Sequence, residues 1–357
     1  MFSIRKDKRR IFFRADGNAE IGSGHVMRCL SLAAVFKNKG YECIFLTADR
    51  SMEALITRSG YGNLCLDAQW RNPEGEMAQL LRLIKEYKPD FLVADSYFVT
   101  IPYLEELKRH VYLVCFDDLK PFRYPAHAVI NYNLFSADMG YNGLYKGTGT
   151  VVMLGPAYAP LREEFRHMPS RHITGIKNIL LSSGGADPAG MTLFFLKLAE
   201  KENRRDILFH IVIGPLNPAQ EEIKRRACLL PNLRVYKNVK RMSALMAGCD
   251  LAVSAGGSTL YEICACGTPA ITYALADNQI ENAVKFESAG YMMYAGDCRA
   301  GDSFKKNLAG RINEMLYLDA GKLNEISRRE QALVDGRGGE RIAEEMMKRI
   351  CSRSDRL

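Results

Sequence analysis

Residues 11–30 read IFFRADGNAEIGSGHVMRCL, and the order of residue types in this stretch decides the fold. Ile11-Phe12-Phe13 is a short unbroken apolar run, as expected of a strand covered on both faces in a parallel sheet. Arg14-Ala15-Asp16 ends it, and a loop from Gly17 to His25 follows, with glycines at 22 and 24. Then the period changes: Val26, Met27, Leu30, Leu32, Ala33 and Phe36 fit a helix over 26–39. Strand, glycine loop and helix in this order open an α/β unit, whose ligands bind at the carboxyl ends of the strands.

Outward from this stretch the pattern repeats. Apolar strand-length runs are expected at 11–14, 43–46, 91–94, 111–116, 129–131 and 151–154, with helical segments such as 77–87 between them. The series restarts near Ile173, with strands at 178–182, 208–213, 233–236, 251–254 and 270–273. Residues 160–175, PLREEFRHMPSRHITG, are polar and bracketed by Pro and Gly, which suits a domain crossover. The expected organisation is therefore a first unit over 1–165, a second over 173–300, and a charged helical extension over 301–357. Two such α/β units would leave a ligand cleft between them.

Composition narrows the class. The 357 residues are 47% hydrophobic and 25% charged, enough for two ordinary domains with sizeable cores. No apolar run approaches the about 20 residues that span a bilayer. The basic start MFSIRKDKRR lacks the apolar core of a signal peptide and reads as a solvated arm. Ten cysteines without a C-x-x-C pair read as reduced, buried thiols of a cytoplasmic protein. The net charge of +8 is scattered, which favours a small anionic ligand over nucleic acid.

Three glycine loops stand at strand ends. In the first, Gly22-Ser23-Gly24 lets the backbone approach a ligand, and His25 sits in the first helical turn, available as a general base. A dinucleotide fingerprint is disfavoured because its third glycine is replaced by Met27. In the second, Gly256-Gly257-Ser258-Thr259 runs into a helix, so bare amides and the helix dipole suit a phosphate, with Glu262 one turn on for a ribose diol. The third is Ser183-Gly184-Gly185-Ala186-Asp187-Pro188. Asn278 follows a later strand on the same side. Asp95-Ser96-Tyr97, Asp117-Asp118 and Asn131-Tyr132-Asn133 also end strands, either as caps and turns or as a polar pocket facing His25. The other histidines lack metal-ligand spacing, so no metal is expected.

Taken together these motifs resemble a known family. Arg14-x-Asp16, Ile21-Gly-Ser-Gly-His-Val-Met-Arg28, Asp95-Ser-Tyr97, Phe116-Asp-Asp118, Asn131-x-Asn133, Leu161-Arg162-Glu-Glu-Phe165, Gly184-Gly-Ala-Asp187 and Ser254-Ala-Gly-Gly-Ser-Thr259 carry the likeness, over roughly 11–295. They are similar to the UDP-sugar hydrolases of pseudaminic acid biosynthesis (PseG) and the related spore-coat polysaccharide proteins (SpsG). The resemblance implies a GT-B fold of two facing Rossmann-like domains, with the nucleotide held mainly by the second. It implies an enzyme that hydrolyses a UDP-linked 2,4-diacetamido-2,4,6-trideoxy sugar without cofactor, using His25; inversion is expected because a single displacement by water needs no covalent enzyme nucleophile. Asp16, Tyr97 and Asn133 would position the base or the acetamido groups, and Arg14, Arg162 and Gly185 would line the substrate site with Asn133 and the glycine loops. The rival class is a GT-B glycosyltransferase using the same base on an acceptor hydroxyl. A third is a silent nucleotide-sugar-binding module. The oligomeric state is not legible.

Overall fold

The structure is a computed structural model in which residues 8–18, 20–185, 187, 189–201, 206–214 and 217–354 are described. Most of the basic arm, with Ala19, Ala186 and Pro188 of the glycine loops, lies outside the described residues. The chain divides into two compact units, one of residues 1–18, 25–162 and 337–357, the other of 19–24 and 163–336.

Among the described residues the first unit is built on a parallel sheet of seven strands. These are β1 (Arg10–Ala15), β2 (Glu42–Thr47), β3 (Gly62–Cys65), β4 (Phe91–Asp95), β5 (Tyr112–Phe116), β6 (Ala128–Asn131) and β7 (Val151–Leu154). Their order is β3-β2-β1-β4-β5-β6-β7, so the chain winds outward from β1 in both directions. Phe12 and Phe13 point to opposite faces and are both fully buried, because helices cover each side of β1. Each such burial stabilises the fold by about 1.5–3 kcal/mol. The Gly24–Asn38 helix follows β1 and buries Val26, Cys29, Leu30, Leu32, Ala33 and Phe36.

The second unit repeats the plan with β8 (Asn178–Ser182), β9 (Leu208–Ile213), β10 (Leu233–Lys237), β11 (Leu251–Ala255), β12 (Ala270–Ala274) and β13 (Met293–Asp297). The order is β10-β9-β8-β11-β12-β13, again parallel. The sequence reading missed β3 and β13. Both are edge strands, GNLC and MYAGD, and neither shows the continuous buried run that marks the inner strands.

Two expectations need correction. Arg10 opens β1 and is half-buried, and both Lys8 and Arg10 pair with Glu42 at 2.9 Å, so this part of the basic block is tied to the sheet, although Lys8 and Arg9 stay exposed. Residues 301–357 do not form a separate extension. The Asp302–Leu316 helix buries Phe304, Leu308, Ile312 and Met315 on one face, within the core of the second unit. The Ala320–Leu333 helix adds Leu323 to the same core.

The last helix, Gly338–Ser354, instead completes the first unit. It lies so close to the 156–159 turn that a Cβ at Gly338 would fall 2.2 Å from the Ala159 carbonyl, which only glycine avoids. Ile342, Ala343 and Met346 are buried there, and Arg341 Nη1 donates to the Ala157 carbonyl at 3.0 Å.

One buried group of the second unit is out of keeping with its surroundings. Glu330, on the Ala320–Leu333 helix, is fully buried, and neither carboxyl oxygen has a hydrogen-bond partner. Burial pushes this carboxyl well above the usual range, and the positive charge of Arg171 opposes the shift only in part. The folded protein therefore holds a neutral acid that ionises on unfolding. Its stabilising contribution is complete below the ordinary Glu pKa and is lost as pH rises toward the elevated folded value. Glu330→Met should abolish this loss. Urea unfolding at pH 5 and pH 8 should show a stability gain for the variant that grows with pH, and a pH-independent difference would refute the account.

Candidate active site

The site grows from the pairing of β1 with β4. Their register sets Ala15 against Asp95, so the loop leaving β1 and the end of β4 are neighbours. That loop turns at Gly22, whose φ of +73° favours glycine, and delivers His25 as the second residue of the Gly24–Asn38 helix. His25 is 7% exposed and its Nδ1 lies 2.5 Å from Asp95 Oδ1.

Asp95 is in turn gripped by Arg28, one helical turn beyond His25. Arg28 Nε donates to Asp95 Oδ2 and Nη2 to Oδ1, each at 2.6 Å, in a two-pronged arrangement. Burial alone would raise the Asp95 carboxyl, but the charges of Arg28 and His25 outweigh it and hold the group well below the usual carboxylate range. An ionised carboxylate only accepts, so the short contact requires the proton on His25 Nδ1. Arg28 Nη2 also lies 3.4 Å from Nδ1, but both nitrogens are donors converging on Oδ1, and the shorter bond fixes the tautomer. With its single proton on Nδ1, the neutral form of His25 would present the lone pair of Nε2.

A second tier surrounds this pair. Arg28 Nη1 donates to Asp118 Oδ1 at 3.0 Å and to the Tyr132 hydroxyl at 3.1 Å. Tyr97 OH donates to Asp118 Oδ2 at 3.0 Å, and its ring meets the His25 ring edge-on at 4.5 Å. Asn133 Nδ2 donates to Asp118 Oδ1 at 3.2 Å and to Asn131 Oδ1 at 3.0 Å. The three polar clusters therefore split between pocket and turn. Asp95, Tyr97, Asp118, Tyr132 and Asn133 belong to the His25 network. Asp117 instead caps its own turn, accepting the Leu119 and Lys120 amides and the Tyr141 hydroxyl.

Asp16 and Arg14 are not where the sequence reading put them. Asp16 accepts from Arg14 Nη1 at 2.6 Å and from the Ala48 amide at 2.7 Å, so the carboxylate on His25 is Asp95. Arg14 gives its other face to Glu76, at 2.6 and 2.7 Å, and Tyr103 OH donates to the same Glu76 at 2.7 Å. Arg14, Asp16 and Glu76 form a buried anchor tying the Pro73–Glu76 turn to the end of β1. Arg162, half-buried, is the last residue of this stretch of the first unit.

The phosphate-type loop lies in the second unit, between β11 and the Thr259–Cys266 helix. Here too the structure corrects the reading. The Gly256 amide donates to the Tyr273 carbonyl of β12 at 2.8 Å and that of Gly257 to Ala255 at 2.9 Å, so both are engaged by the backbone. The amides at the start of the helix, those of Ser258 and Thr259, are the ones that suit an anion. Glu262 is half-buried in the first turn, and Asn278 is exposed in the first turn of the Asp277–Ser288 helix. In the third loop Asp187 accepts the Met191 and Thr192 amides, a helix cap. A Cβ at Gly185 would lie 2.9 Å from Ser23 Oγ, and both residues count with this unit.

Residues that sequence reasoning had not assigned a role are Arg28 and Glu76, while Asp118 stood among the strand-end residues offered either as caps or as a pocket facing His25. Arg28 carried a signal, since three residues after His25 it shares a helix face. Glu76 carried none, because its partner Arg14 is 62 residues away.

Known proteins similar to this chain bear on its fold and relatives. Residues 190–331 match the glycosyltransferase family 28 C-terminal domain. The chain is 27% identical to the spore coat polysaccharide biosynthesis protein SpsG of Bacillus subtilis, over 79% of this chain and 82% of that protein. It is 25% identical to the UDP-2,4-diacetamido-2,4,6-trideoxy-beta-L-altropyranose hydrolase of Campylobacter jejuni, over 71% and 87%. An uncharacterized protein of Methanocaldococcus jannaschii is 29% identical over 76% of this chain, which spans 56% of that relative's length. Among solved structures, MurG of Acinetobacter baumannii superposes with a TM-score of 0.65 at 16% identity, covering 95% and 99% of the two chains. The resemblance read from the motifs is thus to the same two named groups, and the fold is of the GT-B class with two Rossmann-like units.

The Arg14 anchor supplies a direct test. Arg14→Met leaves Glu76 and Asp16 buried without their cation, and should cost about 3–5 kcal/mol of stability. Chemical denaturation checks this; a loss below about 1 kcal/mol would show that water, and not Arg14, satisfies these carboxylates.

Proposed function

From the GT-B fold and the likeness to PseG and SpsG, we propose that this protein is an enzyme acting on UDP-sugars. Specifically, it hydrolyses the anomeric C–O bond of a UDP-linked 2,4-diacetamido-2,4,6-trideoxy sugar in the cytoplasm. The observation that carries the reading is the 2.5 Å contact between His25 Nδ1 and the buried, ionised Asp95. It leaves Nε2 as a base for water and gives the imidazolium that forms a counter-charge, the logic of an oriented histidine. Water attacks the anomeric carbon as the bond to the bridging oxygen breaks, the electron pair leaves with UDP, and the proton passes to Nε2. A single displacement inverts the carbon.

The second unit supplies the nucleotide side of the reading. The Ser258 and Thr259 amides and the helix dipole suit the diphosphate, stabilising charge as it develops on the leaving group. Glu262 suits the ribose hydroxyls, and Asn278 is placed on a neighbouring helix start. Tyr97 and Asn133, both bonded to Asp118, suit the sugar substituents.

The match to a glycosyltransferase domain favours one alternative, transfer to an acceptor hydroxyl with the same base. Incubation with the UDP-sugar in oxygen-18 water, without acceptor, separates the two. Hydrolysis should release UDP with the label in the sugar and persist in chelator. Label in the nucleotide rejects cleavage of the anomeric C–O bond, and no UDP release until an acceptor is added rejects the hydrolase.

Two substitutions divide the roles. His25→Ala should keep UDP binding while lowering turnover on the order of a hundredfold or more; near-normal turnover in the folded variant removes His25 from the mechanism. Glu262→Ala should weaken UDP binding in calorimetry with a smaller effect on the chemical step, and unchanged affinity would exclude the ribose contact.

A further inference from the structure

A carboxylate against a histidine has two consequences that conflict in a base. It fixes the useful tautomer, but its negative charge also favours the imidazolium, which has no lone pair to offer. A lone Asp95 at 2.5 Å from His25 would do both. In this structure Asp95 is not alone. The Arg28 guanidinium covers both of its oxygens at 2.6 Å, and Nη2 stands 3.4 Å from the imidazole nitrogen itself.

We propose that Arg28 is a positioning residue that offsets the charge of Asp95, so that His25 is oriented by the carboxylate and still enters the reaction as a neutral base. This rests on His25 being that base. The surrounding charges make Arg28 the one group fit for the task among the described residues. His25 faces Asp95 from β4 and Tyr97 from the loop beyond it, while Asp118 and Tyr132 reach Arg28 from the ends of β5 and β6. Cys29, on the same helix, places its Sγ 3.6 Å from Asp95 Oδ2 and is held neutral by burial. The charged neighbours are thus two carboxylates and a single arginine. The Phe116 ring, 4.6 Å from the guanidinium carbon, and the 7% exposure of Arg28 keep water from screening it.

The same guanidinium also carries order outward. Its bonds to Asp118 fix the acceptor shared by Tyr97 and Asn133, so one cation sets the base and two residues suited to the sugar.

The test compares Arg28→Gln, Arg28→Lys and the parent by two readouts. One is the acid limb of the pH profile of kcat/KM for UDP-sugar hydrolysis. The other is the midpoint of the His25 imidazole titration by NMR, assigned by its disappearance in His25→Ala, which needs no activity. Arg28→Gln should move both upward by at least one pH unit, a tenfold loss of neutral base at any pH on the limb. Arg28→Lys keeps the charge but not the two-pronged grip. It should leave the midpoint within about half a unit of the parent while lowering kcat. An unmoved midpoint in Arg28→Gln overturns the proposal. Should that variant fail to fold, a parent-like midpoint in Arg28→Lys supports the proposal and a raised one overturns it. A raised midpoint in Arg28→Gln alongside full activity of His25→Ala leaves the electrostatic effect standing and instead refutes His25 as the base.

Discussion

Asp95 ends the strand that pairs with β1 and has almost no contact with water, so a negative charge there must be met by protein donors. Two residues of one helix meet it, His25 from the first turn and Arg28 from the next. At an effective dielectric near 20, unit charges about 4 Å apart interact by about 4 kcal/mol, well above the 0–1 kcal/mol of an exposed pair. This pairing holds the helix start against the sheet and fixes where Nε2 of His25 is offered. Asp118, Tyr97, Tyr132 and Asn133 are arranged around Arg28 in turn. The first unit thus gathers its chemistry at the carboxyl ends of β1, β4, β5 and β6.

Buried charge is handled differently elsewhere. Beside the site, Arg14 satisfies Asp16 and Glu76 together, and the group serves as an anchor with no bond to His25. In the second unit Glu330 has no hydrogen-bond partner and escapes the cost of a buried charge by staying protonated, despite the charge of Arg171. Three buried acidic environments therefore have three solutions: a cation shared with a histidine, a cation shared between acids, and neutralisation. The first is the one that leaves a reactive atom on offer.

Much of this was legible in residue order. Inner strands are buried on both faces, and that physical demand writes itself as the apolar runs around Phe12, Val93, Leu180 and Val253. The edge strands at Gly62–Cys65 and Met293–Asp297 are half-covered and leave no such mark. His25 was legible because a loop glycine and a helix start are local features. Its partner was not, because strand order, and not sequence distance, brings Asp95 across 70 residues. Asp16, close in sequence, was the natural choice and the wrong one, since Arg14 and the Ala48 amide occupy it. The engagement of the Gly256 and Gly257 amides likewise depends on the turn that the loop adopts.

The return of the Gly338–Ser354 helix to the first unit has a consequence for how the protein is made. Residues 163–336 form an unbroken stretch that leaves the ribosome complete and can close its core at once. The first unit emerges earlier but lacks Ile342, Ala343 and Met346 until the chain has grown past residue 346. Until then the surface around Ala159 and Val35, which that helix covers, stands open. The unit bearing His25 is therefore completed only after the stretch 163–336 has been made, and a chain broken off near residue 336 loses part of the core around Ala159.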